Sequence, residues 1–156
     1  MRKRTIQSDS KSATATIVGK RLDLAQIASV EVTSEQAEFP IESVFAAPPG
    51  EWRADSVGEQ VIRLLFDEPT PIRSIQLGFV DSRSQRTQEF TLSYAADGEM
   101  REIVRQQWTF SPDGCQSEFE DYQVELAAVR TLELRIRPDL QHRQALANLA
   151  YWRVHS

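Results

Sequence analysis

The sequence reads as an all-β domain, an antiparallel jelly-roll β-sandwich of eight or nine strands. Apolar residues recur with period two, the mark of strands with one buried face, most completely in Thr131-Leu132-Glu133-Leu134-Arg135-Ile136-Arg137. Turn-forming residues punctuate the alternating segments at short intervals. No long stretch of helical period separates them, which leaves a sandwich or barrel as the architecture.

Residues 1–14 are rich in Ser, Thr, Lys and Arg and hold too little apolar surface to offset the entropy of ordering. They are expected to form a flexible tail ahead of a single domain spanning 15–156, with order setting in near Ile17. A first strand is expected from Ile27 to Val32. Pro40 to Phe45 is the place for a short helical turn, because proline suits an early helical position. Ile62, Leu64 and Phe66 alternate, as do Ile75, Leu77 and Phe79. Between them Asp67-Glu68-Pro69-Thr70-Pro71 is expected to end one strand before the next begins at Ile72, since proline offers no N–H to a ladder. Phe90, Leu92 and Tyr94 mark the following strand, and Asp97-Gly98 turns it into an antiparallel partner from Arg101 to Phe110, with Gly98 supplying φ > 0. The remaining strands are placed at Phe119 to Leu126, Thr131 to Arg137 and Leu146 to Val154.

A chain of 156 residues, 40% hydrophobic and 26% charged, is large enough to bury a core without disulfide or metal staples. Its net charge of -5 and scattered arginines argue against nucleic acid as a partner, which needs a concentrated positive surface. No apolar run is long enough for a membrane span. Cys115 is the only cysteine, so an intramolecular disulfide is ruled out and a cysteine-based zinc site is not expected. Met1-Arg2-Lys3-Arg4 has the basic start of a secretory signal without the apolar stretch that should follow, and a cytoplasmic location is expected. There is no glycine-rich phosphate loop, no metal-binding histidine pair and no nucleophile elbow, and Cys115 has no positioned base beside it. The expectation is therefore a protein without cofactor and without catalysis.

From Ser34 through Val154 the landmarks of a known family fall in order. Glu51-Trp52-Arg53 follows an irregular loop, and Val61 to Phe66 leads into an acidic-proline corner at Asp67-Glu68-Pro69. Phe90-Thr91-Leu92-Ser93-Tyr94-Ala95-Ala96-Asp97-Gly98 has the form of a characteristic hairpin, and Val129-Arg130-Thr131-Leu132 that of a late strand. In these features the chain resembles the discoidin, or coagulation-factor type C, family of galactose-binding-domain-like sandwiches, related to bacterial carbohydrate-binding modules. Members commonly hold a structural calcium through an Asp-Gly loop before the Trp and a Glu in the last strand. Here Phe45-Ala46-Ala47-Pro48-Pro49-Gly50 and Ala150-Tyr151-Trp152 stand in their places, so no metal site is expected, because calcium needs several oxygen ligands including carboxylates.

The resemblance implies a ligand rim on the loops at one end of the sandwich. Asp81 to Glu89 is the most polar loop of the ordered region, and Arg83 and Arg86 bring forked donors suited to a carboxylate or a hydroxyl pair; otherwise they face water or pair with Glu89. Gln88 belongs to the same stretch. Trp52, beside Arg53, and Trp108, after Gln106 and Gln107, could offer apolar platforms to a sugar ring, although Trp108 also shares an alternating face with Val104 and Phe110, as Trp152 does with Val154. Glu118, Glu120, Asp121 and Glu125 look like an acidic cluster, but strand alternation puts Glu120 and Asp121 on opposite faces. His142 lies in a polar loop, with solvation its ordinary fate. The expected function is a non-catalytic binding module for a carbohydrate or other small polar ligand, with Trp52, Arg53, Arg83, Arg86, Gln88 and Trp108 at the site. Arg86→Ala should then abolish binding without lowering stability. The alternative is a protein-interaction or scaffold module, homo-oligomeric in one form, with a protein partner in place of the sugar.

Overall fold

The computed structural model describes residues 19–142 and 144–156, so the expected tail at 1–14 and the onset of order near Ile17 lie outside the described residues. A single helical turn, α1 (Leu24–Ile27), runs directly into β1 (Ala28–Val32). Pro40 leads a short 3-10 turn at Ile41–Phe45, whose Ile41 and Val44 are buried. The other strands are β2 (Trp52–Arg53), β3 (Gln60–Val80), β4 (Arg86–Ala95), β5 (Arg101–Phe110), β6 (Ser117–Arg137), β7 (Asn148–Leu149) and β8 (Tyr151–His155).

Two long strands make the sandwich. The first part of β3 lies between β1 and the last part of β6, which continues through β4 to β5 in one antiparallel layer. The last part of β3 lies between β8 and the first part of β6 in a second layer. The expectation that Asp67 to Pro71 ends a strand is thereby corrected. β3 runs through both prolines, and its ladder with β6 slips between Leu65, Thr70, Ile72 and Ser74, where the strand passes from one layer to the other. Pro69 and Pro71 sit in that irregular stretch, where the missing N–H costs no ladder bond. Likewise the two expected strands at Phe119 to Leu126 and Thr131 to Arg137 are one strand, β6. The β4–β5 hairpin turns at Gly98 with φ +92°, as Asp97-Gly98 implies.

The period-two pattern decides what the layers bury. Ile62, Leu64, Leu132, Leu134 and Ile136 from the first layer meet Ile75, Leu77, Phe79, Trp152 and Val154 from the second, all essentially inaccessible to solvent. Phe79 and Phe90 bridge the layers with ring centroids 5.2 Å apart. Among the described residues no helix is long and apolar enough to cross a membrane.

Candidate functional site

A recess of about 650 Å³ opens where the end of β3, the loop at 81–85 and the loop at 144–147 meet the β2–β7 ribbon. That volume is in the range of small-molecule pockets. The ribbon pairs Trp52 with Leu149 and Arg53 with Asn148, so the first pair turns into the core while Arg53 and Asn148 line the recess.

Asp81 organises the loop. Its Oδ1 accepts the backbone N–H groups of Arg83 and Ser84 at 2.9 and 3.2 Å, and its Oδ2 accepts Arg86 Nε at 2.7 Å. Burial alone would raise the Asp81 carboxyl, but the Arg86 bond and the two backbone donors prevail and hold it below the usual carboxylate range. Arg86 in turn donates through Nη1 to the Pro138 carbonyl at 2.7 Å and to Gln88 Oε1 at 3.2 Å, with its guanidinium 4.6 Å from the Phe110 ring centroid. These bonds fix a short polar loop that would otherwise be free to move, and Arg83, which contributes only its backbone N–H to them, stays exposed at the recess.

Two buried polar atoms of residues that line the recess, the donor Arg86 Nη2 and the acceptor Asn148 Oδ1, have no hydrogen-bond partner among the described residues. Arg53 pairs with Glu51 at 3.0 Å and stacks 4.1 Å from the Phe39 ring centroid, while Arg83 has no carboxylate partner among the described residues. Leu146, 42% exposed, adds apolar surface to the recess together with Pro49 and Val80. No aromatic side chain lines the recess.

Of the six expected site residues, Arg53, Arg83 and Arg86 come together here, and the other three do not. Trp52 is fully buried and donates its indole N–H to the Ser34 carbonyl at 3.1 Å, so it is a core residue and not a sugar platform. Gln88 is fully buried between the layers. Trp108 packs against the core with its indole nitrogen buried and unpartnered. The expectation that Arg86 can be removed without loss of stability is also corrected, because its side chain is only 2% exposed and holds three partners. Glu89, the alternative partner for the loop arginines, pairs instead with Arg105 and Arg137 on the outer face. Asn148 and Leu146 were not legible as site residues, since the β2–β7 pairing that positions Asn148 joins segments far apart in sequence.

A second polar group lies behind the recess. β6 turns Glu118 inward, 1% exposed, beside Gln88 and Glu120, and among the described residues neither carboxylate oxygen makes a hydrogen bond of good geometry. Gln88 Nε2, Trp108 Nε1 and Tyr122 Oη are also buried without a hydrogen-bond partner among the described residues. Burial, followed by the neighbouring Glu120, pushes the Glu118 carboxyl up to about 8, so it keeps its proton at neutral pH. Asp121 faces outward, as the alternation requires.

No protein-family model and no curated protein matches the sequence. Solved structures do match in fold. A family 32 carbohydrate-binding module of Clostridium perfringens NanJ, in complex with galactose, superposes with TM-score 0.62 at 12% identity over 88% of this chain and 98% of the module. The Clostridium perfringens module CpGH89CBM32-5, in complex with GalNAc-β-1,3-galactose, gives 0.65 at 12% identity over 88% of this chain and 100% of that one. The family 32 module of AlyQ, in complex with 4,5-unsaturated mannuronic acid, gives 0.55 at 15% identity over 82% and 94%. The chain thus has the galactose-binding-domain-like, discoidin-type sandwich fold of these modules. The calcium that this fold family implies does not suit the residues present. Ala46, Ala47 and Tyr151 bring no carboxylate, and among the described residues no three His, Cys, Asp or Glu side chains group as metal ligands.

Proposed function

We propose that this chain is a non-catalytic carbohydrate-binding module and that the recess beside Arg83 is its sugar site. One observation carries the reading: the exposed Arg83 guanidinium, without a carboxylate partner among the described residues, shares a concavity with Arg53, Asn148 and the apolar side chain of Leu146. A pyranose presents that combination in reverse, with hydroxyls that both donate and accept around an apolar ring face. The carboxylates at the recess, Asp81 and Glu51, are engaged by Arg86 and Arg53, which leaves no opposed acid and base for bond cleavage. The neighbours in sugar complexes support the same reading by shared fold.

Arg83 sets the preference. A cation without a carboxylate of its own favours a uronic acid over a neutral hexose by a charge-assisted, two-pronged contact. Titration calorimetry with galactose and with galacturonate tests this. Binding of either, lost in Arg83→Ala with the melting temperature unchanged, is the expected result. Binding that survives Arg83→Ala undiminished would move the site elsewhere on the molecule.

A further inference from the structure

The recess has no aromatic wall, yet an aromatic surface begins at its edge. On the outer face of the second layer, register places Phe119 of β6 and Tyr151 of β8 on either side of Gly78 of β3. Their ring planes lie 16° from parallel with centroids 5.9 Å apart, and Phe119 is 58% exposed. Gly78 is what lets the rings settle. A Cβ there would overlap the Tyr151 ring and lie 3.0 Å from Phe119 Cδ1.

This surface is continuous with the recess. Val80, two residues beyond Gly78 on the same strand face and so roughly 7 Å away, is 41% exposed and lines the recess. Ala150 also lines it, directly before Tyr151, and donates its N–H to the Gly78 carbonyl at 2.6 Å. The next row along the sheet is polar, Asp121, Gln76 and Arg153 in register. Arg153 covers Tyr151 from that side, 4.7 Å from its ring centroid. The apolar strip from Val80 across Phe119 is thus bordered by hydrogen-bonding groups, as a sugar ring requires: its C–H face needs an aromatic plane and its rim needs polar partners.

The geometry points to Phe119 and Tyr151 as a second subsite, so that the ligand is an oligosaccharide running from the recess over Val80 onto the Phe119 ring. This rests on the recess being the sugar site. A covered aromatic pair would serve only the sheet, as aromatic side chains do over cross-strand glycines; a ring left more than half exposed beside a sugar-sized recess has surface to give to a ligand.

The test titrates galactose, galactotetraose, galacturonate and tetragalacturonate into the wild type, Arg83→Ala and Phe119→Ala, with melting curves and light scattering on each protein. If the inference is right, a tetramer binds the wild type roughly tenfold more tightly than its monosaccharide, the increment a stacked ring supplies. Phe119→Ala then removes that increment and leaves monosaccharide binding and melting temperature unchanged, and Phe119→Tyr restores it. Equal affinities for tetramer and monosaccharide, or an unaltered Phe119→Ala, would overturn the second subsite while leaving the recess intact. A wild type that binds none of the four sugars would overturn both. A dimer that dissociates in Phe119→Ala would assign the surface to a second copy of this chain and overturn the inference as well.

Discussion

Arg86→Ala separates a ligand-reading arginine from a structural one. The side chain is 2% exposed and makes two bonds of 2.7 Å, to the Asp81 carboxylate and the Pro138 carbonyl, with a third to Gln88 at 3.2 Å. Truncation leaves Asp81, 11% exposed, without its counter-ion and opens a void against Phe110. Breaking a buried pair by removing one partner costs about 3–5 kcal/mol. For a domain of this size each kcal/mol lowers the melting temperature by about 2–4 °C, so a fall of about 10 °C is expected. Calorimetric melting at neutral pH measures it. Acid sensitivity gives an independent readout. Because Asp81 is held below its unfolded value of 3.8, its contribution is present above that pH and is lost as pH falls through the lower folded value. Arg86→Ala should shrink that acid-side loss, since only the Arg83 and Ser84 backbone donors then remain to hold Asp81 down, and Arg86→Lys should recover little, since an ammonium cannot reach all three acceptors at once. A variant melting within a degree of the wild type would refute the account of Arg86 as the brace of the loop.

Three further outcomes follow from the geometry. Arg83→Ala, which removes an exposed side chain without a carboxylate partner, should change stability by no more than about 0.5 kcal/mol in chemical denaturation, in contrast to Arg86. Glu118 binds more protons folded than unfolded between its ordinary value of 4.5 and its raised value of about 8, so its contribution falls as pH rises across that window. Glu118→Gln should flatten the decline, with a ceiling of roughly 3 kcal/mol between about pH 5 and pH 7.5, and a wild type whose stability is level over that range would contradict the buried proton. Gly78→Ala should displace the Tyr151 ring and cost about 1–3 kcal/mol, read from urea midpoints; an unshifted midpoint would mean that the rings do not rest on Gly78.

The layers were legible because alternation survives in nearly every strand, and β5 falls at Arg101–Phe110, the expected residues. The bends were not. Two prolines around Thr70 look like a terminus when a strand is assumed to stay in one sheet, but a strand crossing between layers loses ladder bonds at its corner and can hold proline there. The burial of Arg86 and Gln88 was readable in principle. Phe90 and Leu92 face the core, and counting back by two puts Gln88 and Arg86 on the same side. Polarity suggested a solvated loop, whereas the phase of the strand put both inside. Trp52 misled for the opposite reason. Its irregular neighbours suggested exposure, but pairing with Leu149 and the bond to Ser34 hold it in the core.

The inward polar residues are not scattered. Arg86 and Gln88 open β4, Glu118 and Glu120 open β6, and both strands start where Val80 ends its run opposite Ser117. The apolar rule is therefore relaxed at the recess end of the sandwich. A core filled to that end with Leu and Phe would bury more apolar surface, yet it would leave the loop at 81–85 resting on groups that cannot bond to it. Asp81, Arg86, Gln88 and the Pro138 carbonyl make that loop part of the framework. The unpartnered atoms of Glu118, Trp108 and Tyr122 are the remainder of the same polar end, where desolvation has been accepted without full pairing. The binding site proposed at the recess would gain from this exchange, because a loop held in place before binding loses little entropy when a ligand arrives.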